Sequence, residues 1–337
     1  MGNRTCVGFC WAAVTLAGLV CGTVPRAAAA AECTLGAVAV LPVRAERGHY
    51  LFTAQINEHP ANLVLDTGFF ATSLNLEAGD RLGVRLNRIG REAYGIGGVR
   101  DVYSGTARHM RVGQMNADGM VLGGGAYWTA RQQPGWDGVF GMNMMSAYDI
   151  DLDFAGGYAI LFEADGDCHH PTVGLAPPLY KVPLEAIAKD RQADILITID
   201  GQRVKALLDT GAFQSFIYRK AAARLGVDVS VMDAPGHEMA SGIGPFAVKY
   251  FRHIFHSVKI GPLEVHDMEI GILNQKDNGI NRIKTGSLLP SALDPDAPNT
   301  EDMVLGLDFF QRFHAWISHS SQNLILQYPP APSVLPH

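Results

Sequence analysis

The sequence predicts a mostly β protein made of two similar lobes, and three observations lead to that fold class. A unit of sequence occurs twice, short apolar runs between turn residues are typical of strands, and helical stretches are few and short. The chain has 337 residues, of which 47% are hydrophobic and 18% are charged. Such a chain is long enough for two globular domains.

The N-terminal segment has the layout of a secretory signal peptide. A short polar start with Arg4 leads into an apolar run, Cys6 to Val20, and then into the small residues Ala27 to Ala31. We therefore predict a signal peptide over residues 1–31 and a secreted or periplasmic location for the rest of the chain. An uncleaved membrane anchor is the weaker alternative, because the apolar run is shorter than the ~20 residues that span a bilayer.

Removal of this segment would leave two cysteines, Cys33 and Cys168. In an oxidising compartment two cysteines favour one disulfide, and this pair would join the two ends of the first lobe. Two free, buried thiols are the alternative.

Charge and histidine placement bear on possible partners. The formal net charge is -6, and no stripe of Lys and Arg is interleaved with aromatic residues, so nucleic acid is not an expected partner. His253 and His256 lie three residues apart on a predicted strand, where they would point to opposite faces. We therefore expect no metal site and no other cofactor.

The repeated unit is clearest around two Asp-Thr-Gly triplets. Residues 56–68 match residues 199–211, and the two Asp residues, Asp66 and Asp209, are 143 positions apart. The same tetrapeptide, Arg-Leu-Gly-Val, then follows at residues 81–84 and 224–227, again at an offset of 143 positions. An offset that is kept over this length indicates duplicated lobes.

Each unit continues with a glycine-rich element and closes with two apolar residues and a glycine. The glycine-rich elements are Tyr94-Gly95-Ile96-Gly97-Gly98 and Ser241-Gly242-Ile243-Gly244-Pro245, and the closing motifs are Val139-Phe140-Gly141 and Val304-Leu305-Gly306. The closing motifs are farther apart than the triplets, so the second unit must contain an extra loop. The Pro- and Asp-rich stretch 275–302 is its predicted place.

The local patterns predict the elements of each unit in order. In the first unit, strands are expected at Tyr50–Ile56 and Asn62–Leu65 around a turn at Glu58-His59-Pro60. In the second unit, Asp200-Gly201 is a hairpin signal between the strands 195–199 and 204–208.

The remaining features predict the helices and the domain limits. Gly83 and Gly226 are placed as C-caps of short helices. The Pro-rich segment 171–180 is the predicted linker, which gives lobes at 32–170 and 181–330.

A single Asp-Thr-Gly commonly forms only a turn. Here each triplet follows an apolar run, so Asp66 and Asp209 should emerge at buried strand ends. At matching places in duplicated lobes, the two carboxylates could meet across a pseudo-two-fold axis. Thr67 and Thr210 could then form hydrogen bonds across the axis.

Two carboxylates within about 3 Å cannot both ionise cheaply, so they share one proton. The ionised member can polarise a water as general base while the protonated member donates to a substrate carbonyl. Hydrolysis of an amide needs both acts and requires no metal. Gly68 and Gly211 would allow a close backbone turn beside each carboxylate.

These motifs resemble the aspartic peptidases of the pepsin and retropepsin clan, in particular the bacterial retropepsin-like group. The resemblance spans residues 40–328 and rests on three motifs that recur in the same order in both units: apolar-apolar-Asp-Thr-Gly, a glycine-rich flap, and apolar-apolar-Gly before a short helix. It implies the acid protease fold, with two pseudo-symmetric β-barrel-like lobes, short helices and an active site in the interlobe cleft.

The resemblance also implies roles for individual residues. Asp66 and Asp209 would be the catalytic dyad of an aspartic endopeptidase, and Thr67 and Thr210 the interlocking threonines. The flap residues would close over a peptide or protein substrate in extended conformation; they are Gly95, Ile96, Gly97, Gly98, Gly242, Ile243 and Gly244. One chain would form the complete site, so a monomer is expected.

The sequence departs from the pepsin pattern directly after each triplet. Pepsin-like enzymes usually carry Ser or Thr there, and this chain has Phe69 and Ala212. Without those hydroxyl donors the ionised form of the dyad loses stabilisation, so we predict a working pH nearer neutrality than that of gastric enzymes. The alternative function is a non-catalytic secreted protein that binds peptides in a retained cleft.

Overall fold

The computed structural model describes residues 33–125, 135–166, 168, 175–185, 192–233, 238–242, 244, 246–274 and 301–328. The predicted signal peptide, Ile243 and all but the last two residues of the predicted loop 275–302 lie outside the described residues.

Strands dominate the described residues, so the prediction of a mostly β protein is confirmed. The strands are β1 (Thr34–Pro42), β2 (Arg44–Glu46), β3 (His49–Ile56), β4 (His59–Leu65), β5 (Ser73–Asn75), β6 (Asn87–Gly95), β7 (Gly98–Val112), β8 (Met115–Gly125), β9 (Gly138–Phe140), β10 (Asp149–Asp153), β11 (Tyr158–Asp165), β12 (Leu179–Pro183), β13 (Asp194–Ile199), β14 (Gln202–Leu208), β15 (Phe216–Tyr218), β16 (Glu238–Ala240), β17 (Val248–Ile260), β18 (Leu263–Leu273), β19 (Met303–Leu305), β20 (His314–Ser318) and β21 (Asn323–Gln327). The α-helices are α1 (Leu76–Arg81), α2 (Met142–Met145), α3 (Arg219–Arg224) and α4 (Leu307–Phe310), and a 3-10 helix spans Val229–Asp233.

The two repeated units form two sheets with the same strand order, apart from one additional edge strand, β2, in the first sheet. The first is β2-β3-β4-β9-β5-β8-β7-β6 and the second is β13-β14-β19-β15-β18-β17-β16. Further pairing of β3 with β7, and of β13 with β17, curls each sheet back on itself. The duplication read from the sequence therefore corresponds to two β-barrel-like lobes.

A third sheet joins the two lobes. Its order is β1-β11-β10-β20-β21-β12, so three strands come from each half of the chain, and β10 pairs with β20 across the centre. The predicted linker, 171–180, reaches into this sheet, since residues 179 and 180 already belong to β12. The lobes thus share a common base, which places the ends of β4 and β14 opposite each other.

The structure joins Cys33 and Cys168 by a disulfide at one edge of the shared sheet. β1 and β11 run antiparallel with Thr34 opposite Asp165, so the cysteines lie just beyond the last pair of this ladder. Their Cα atoms are 4.7 Å apart, within the range that a disulfide requires. The bridge ties the edge strand β1 to its neighbour.

The hairpin predicted at Asp200-Gly201 is confirmed, because both residues have positive φ (45° and 83°), as a two-residue turn between β13 and β14 requires. The turn predicted at Glu58-His59-Pro60 was placed too late. The equivalent positions of the first lobe are Asn57 and Glu58, with φ of 48° and 70°, and β4 begins at His59.

Both short helices end as the sequence predicts. Gly83 follows α1 with φ 66° and Gly226 follows α3 with φ 88°, the left-handed conformation that favours glycine after a helix. Within the described residues, no helix is both long enough and apolar enough to cross a membrane.

Candidate active site

The two triplets begin where the central strands of the lobes end. Asp66 follows β4 and Asp209 follows β14, and each strand has a parallel neighbour, β9 or β19, that carries the closing motif. The backbone N–H of Asp66 donates to the carbonyl of Phe140 at 3.1 Å, and that of Asp209 donates to Leu305 at 3.0 Å. The closing motifs therefore fix where each aspartate leaves its sheet.

The threonines of the triplets interlock across the lobes. The Oγ1 of Thr210 accepts the N–H of Thr67 at 3.1 Å, and the Oγ1 of Thr67 accepts the N–H of Thr210 at 3.0 Å. Each hydroxyl in turn donates to a leucine carbonyl of the opposite lobe, Leu208 at 2.8 Å and Leu65 at 2.7 Å. Both threonines are buried, so these four bonds hold the two triplets in one fixed arrangement.

The carboxyl groups of Asp66 and Asp209 meet at the axis and are joined by a hydrogen bond. Each also accepts the N–H of its own triplet glycine, Gly68 at 3.0 Å and Gly211 at 2.8 Å. A Cβ on Gly68 would lie 2.2 Å from Cγ of Asp209, and a Cβ on Gly211 would lie 2.3 Å from Cγ of Asp66. Only glycine lets the opposite carboxyl approach this closely.

Burial dominates the titration of the pair. It raises the pKa of Asp66 well above the usual value of 3.8, and the charge of Asp209 raises that pKa further. Burial likewise raises the pKa of Asp209 to about 6, although backbone N–H groups of Gly211 and Ala212 act in the opposite direction. The pair thus keeps one proton at a pH where an exposed aspartate would have lost its own.

The residues after the triplets differ in side chain and agree in backbone contacts. The N–H of Ala212 donates to Oδ1 of Asp209 at 3.1 Å, and the N–H of Phe69 makes the equivalent bond to Asp66. The ring of Phe69 is buried in an apolar cluster beneath the first flap, where it packs with residues such as Val102 and Trp136. The bulky side chain therefore leaves the backbone donors of the two carboxyls equivalent.

A further set of hydrogen bonds holds each triplet loop to its closing motif. In the first lobe, the hydroxyl of Thr72 accepts the N–H of Gly141 at 3.1 Å, and Oδ1 of Asn143 accepts the N–H of Thr72 at 2.6 Å. Sequence reasoning did not identify these residues as part of the site.

The second lobe has an equivalent set of hydrogen bonds, made by different residue types. The hydroxyl of Ser215 accepts the N–H of Gly306 at 3.1 Å, and Oδ1 of Asp308 accepts the N–H and hydroxyl of Ser215, both at 2.7 Å. Ser215 lies at the repeat offset from Thr72 in the first lobe, and this offset is the signal that could have found it.

The predicted flaps are hairpin tips, and they meet. Gly95 pairs with Gly98 at the tip of β6 and β7, and the N–H of Phe246 in the second flap donates to the carbonyl of Gly97 at 3.0 Å. A Cβ on Gly244 would lie 2.0 Å from the carbonyl carbon of Gly97.

Side-chain packing reinforces the contact between the flaps. Ile96 packs against the apolar cluster beneath the second flap, and a Cβ on Gly242 would lie 2.7 Å from its Cγ1. The two tips thus contact each other from opposite lobes.

No set of three His, Cys, Asp or Glu side chains within the described ranges is placed to hold a metal ion. His256 forms an exposed pair with Asp267 at 3.4 Å, and the ring of His253 contacts Phe255.

Two equivalent carboxyls held by interlocked threonines, and two flap tips that meet, come from two β-barrel-like lobes. Together they define a two-lobed acid protease fold. The chain matches the model of the aspartyl protease family over residues 52–144 and 195–309, and each region contains one triplet. The matched residues make up more than half of the chain, which therefore belongs to the aspartyl protease family. No curated protein matches the chain.

Proposed function

We propose that this protein is an aspartic endopeptidase in which Asp66 and Asp209 jointly activate a water molecule. The observation that carries the proposal is the hydrogen-bonded pair of half-buried carboxyls, each of which accepts hydrogen bonds from two backbone N–H groups. At a pH where the pair holds one proton, the ionised carboxylate removes a proton from water as the water attacks the scissile carbonyl. The protonated carboxyl donates to the carbonyl oxygen, which supports the tetrahedral intermediate.

The substrate in this proposal is a peptide or protein segment in extended conformation. Such a segment lies between the dyad and the flap tips, where backbone N–H and C=O groups can bind its main chain. The clusters beneath the flaps are apolar, so we expect apolar side chains on either side of the scissile bond. We further propose that the mature chain is secreted or periplasmic and acts as a monomer.

Cleavage of a denatured protein mixture by the chain from residue 32 onward tests the proposal. We expect cleavage that pepstatin inhibits, and that Asp66→Asn or Asp209→Asn abolishes. Asp228→Asn is the matched control, because Asp228 is exposed and accepts hydrogen bonds from the nearby Ser230. Equal cleavage by the wild type and both dyad variants would refute the proposal. Peptide binding without cleavage by the wild type would instead favour the non-catalytic alternative.

The pH dependence of cleavage provides a second test. Activity requires one protonated and one ionised carboxyl, so it should fall below the lower and above the higher apparent pKa of the pair. Since burial raises the pKa of both carboxyls, we expect an optimum displaced from strong acid towards neutrality. An optimum in strong acid would contradict this expectation.

A further inference from the structure

Two side chains reach across the lobes to the backbone of the triplets. Nε2 of Gln192 donates to the carbonyl of Gly68. Burial lowers the pKa of His49, which favours the neutral imidazole, and a hydrogen bond from its ring to the backbone of Gly211 acts in the opposite direction. His49 and Gln192 are 143 positions apart, the same offset as the two catalytic aspartates. They are therefore equivalent residues of the two lobes, although one is an imidazole and the other an amide.

Packing fixes both side chains in place. Gln192 is 6% exposed and precedes Ala193, whose carbonyl accepts the N–H of Leu208 at 2.9 Å. His49 begins β3, and its ring packs edge-on against Trp136 with centroids 4.8 Å apart. The turn before His49 also reaches the second lobe, since a Cβ on Gly48 would lie 3.5 Å from Cβ of Phe213.

Gln192 and His49 each contact a peptide group whose N–H donates a hydrogen bond to one of the catalytic carboxyls. The carbonyl of Gly68 and the N–H of Phe69 belong to one peptide group, and that N–H donates to Asp66. The carbonyl of Gly211 and the N–H of Ala212 form the equivalent group, and that N–H donates to Asp209. A donor on the carbonyl polarises the peptide group, so its N–H becomes a stronger donor.

We propose that Gln192 and His49 are positioning residues, each of which stabilises the ionised form of the catalytic carboxyl in the opposite lobe through one peptide group. The proposal rests on the proposed function of the dyad. Phe69 and Ala212 lack the hydroxyl that pepsin-like enzymes usually have after the triplet, so in this chain the side chains of Gln192 and His49 stabilise the carboxyls indirectly, through the peptide groups. Each lobe thereby controls the titration of the other.

The groups that face the dyad define what else could affect its titration. Among the residues that the structure describes, they are the two carboxyls themselves, His49 behind Gly211, and Tyr218, whose pKa is raised by burial and then by the charges of Glu301 and Asp209. None of them is changed in a variant of Gln192. A variant of Gln192 therefore tests only how the hydrogen bond from Gln192 to the carbonyl of Gly68 affects the titration of Asp66.

The test is the pH dependence of kcat/KM, measured as initial cleavage of fluorescently labelled casein. Gln192→Met and His49→Phe keep the side-chain bulk and remove the donor. Each variant should move the acid limb of the profile to higher pH, by up to about half a pH unit, because the ionised carboxyl loses part of its stabilisation. Gln192→His and His49→Gln restore a donor with the residue of the other lobe and should return the limb towards its wild-type position.

The control is Gln327→Met, since Gln327 is 3% exposed and accepts the N–H of Ala176 at 2.9 Å in the shared sheet. It should cost stability and leave the acid limb in place. An unchanged limb in folded Gln192→Met or His49→Phe would overturn the inference, as would an equal shift in Gln327→Met. If either Gln192→Met or His49→Phe fails to fold, the position of the acid limb in the other variant tests the inference.

A second readout does not need catalysis. Carboxyl titrations can be followed by NMR on protein labelled with ¹³C-aspartate, with Asp66→Asn and Asp209→Asn used for assignment. Gln192→Met should raise the apparent pKa of the dyad, and an unchanged titration would overturn the inference. A wild type that cleaves nothing would defeat the proposed function alone and leave this measurement valid.

Discussion

The glycine of each triplet is required by the carboxyl of the other lobe. Gly68 does not adopt positive φ, so its backbone would accept alanine, but the added Cβ would lie 2.2 Å from Cγ of Asp209. Gly68→Ala should therefore separate the two carboxyls and lower kcat by about 100-fold or more, as expected when reacting groups are misplaced by about 1 Å.

A glycine with open space around it provides the control for this substitution. Gly36 in β1 also lacks positive φ, and a Cβ there would have no neighbour within 4 Å. Gly36→Ala should leave kcat unchanged. Comparable cleavage rates for Gly68→Ala and Gly36→Ala would show that the close approach of the glycine to the carboxyl does not matter.

The sequence allowed prediction of the site residues that lie in one contiguous motif. Asp66, Thr67 and Gly68 have chemistry that follows from residue type, and the cross-lobe threonine bonds follow from duplication. The outer partners could not be predicted in this way. His49 and Gln192 occupy equivalent places with different residue types, so only their contacts show that they do the same thing.

At the scale of an element, the turn between β3 and β4 shows that residue type alone does not predict where a turn lies. Pro60 favours a turn by residue type, yet it lies in β4 opposite Gln55. In a two-residue hairpin this second pair exchanges no hydrogen bonds, so the missing N–H costs nothing. Tertiary contacts place the turn instead, because the side chain of Asn57 donates to Leu82 at 2.9 Å and accepts from Arg108 at 2.7 Å.

The flap tips depend on a glycine that no side chain can replace. Gly244 has φ 127°, and a Cβ there would overlap the backbone of Gly97 in the other flap. Gly244→Ala should push the tips apart and lower kcat/KM for an extended substrate by about tenfold, equivalent to about 1.4 kcal/mol of binding.

Gly119→Ala is the control that distinguishes the effect of backbone strain from the effect of lost contact between the flap tips. It has φ 63° in β8, and a Cβ there would meet nothing within 4 Å. Gly119→Ala should cost thermal stability through strain alone and leave kcat/KM unchanged. If Gly119→Ala lowers kcat/KM as much as Gly244→Ala does, contact between the tips is not the cause.

The shared sheet is the feature of the whole molecule that the sequence did not predict. β10 reads Asp-Ile-Asp-Leu-Asp, an alternation typical of a strand with one solvated face, yet all three aspartates are buried. Partners from the other half of the chain satisfy Asp149 and Asp151, whereas Oδ1 of Asp153 accepts the N–H of Gly156 in its own half at 2.7 Å. Asp149 accepts from the hydroxyls of Ser318 and Ser320, and Asp151 pairs with His314 at 2.5 Å.

This buried pair should make the junction of the lobes pH-dependent. Burial lowers the pKa of His314, but the hydrogen bond and charge of Asp151 outweigh it, so the pKa lies above the usual 6.5. Stability from this histidine is therefore fully present below about pH 6.5 and is lost as the pH rises through the folded-state pKa. Burial also raises the pKa of Asp151, although the hydrogen bond and charge of His314 act in the opposite direction, so both groups lose stability as the pH rises. The double variant His314→Gln with Asp151→Asn removes both titrating groups and should flatten the decline in urea unfolding midpoint between about pH 6 and about pH 9.

An exposed pair provides the comparison for His314. His109 and Asp118 are 2.7 Å apart with side chains 62% and 81% exposed, so solvent screens their interaction. His109→Gln should keep the wild-type decline. A profile of the double variant parallel to the wild type would show that the buried pair does not couple stability to pH.

The central claim is that one chain brings Asp66 and Asp209 into a single catalytic pair. The most direct test mixes Asp66→Asn with Asp209→Asn after joint unfolding and refolding, and compares casein cleavage with that of wild type treated alike. Because each variant lacks one member of its own pair, the mixture should stay inactive. Recovery of a substantial fraction of wild-type cleavage would show that the pair forms between chains and would contradict the account.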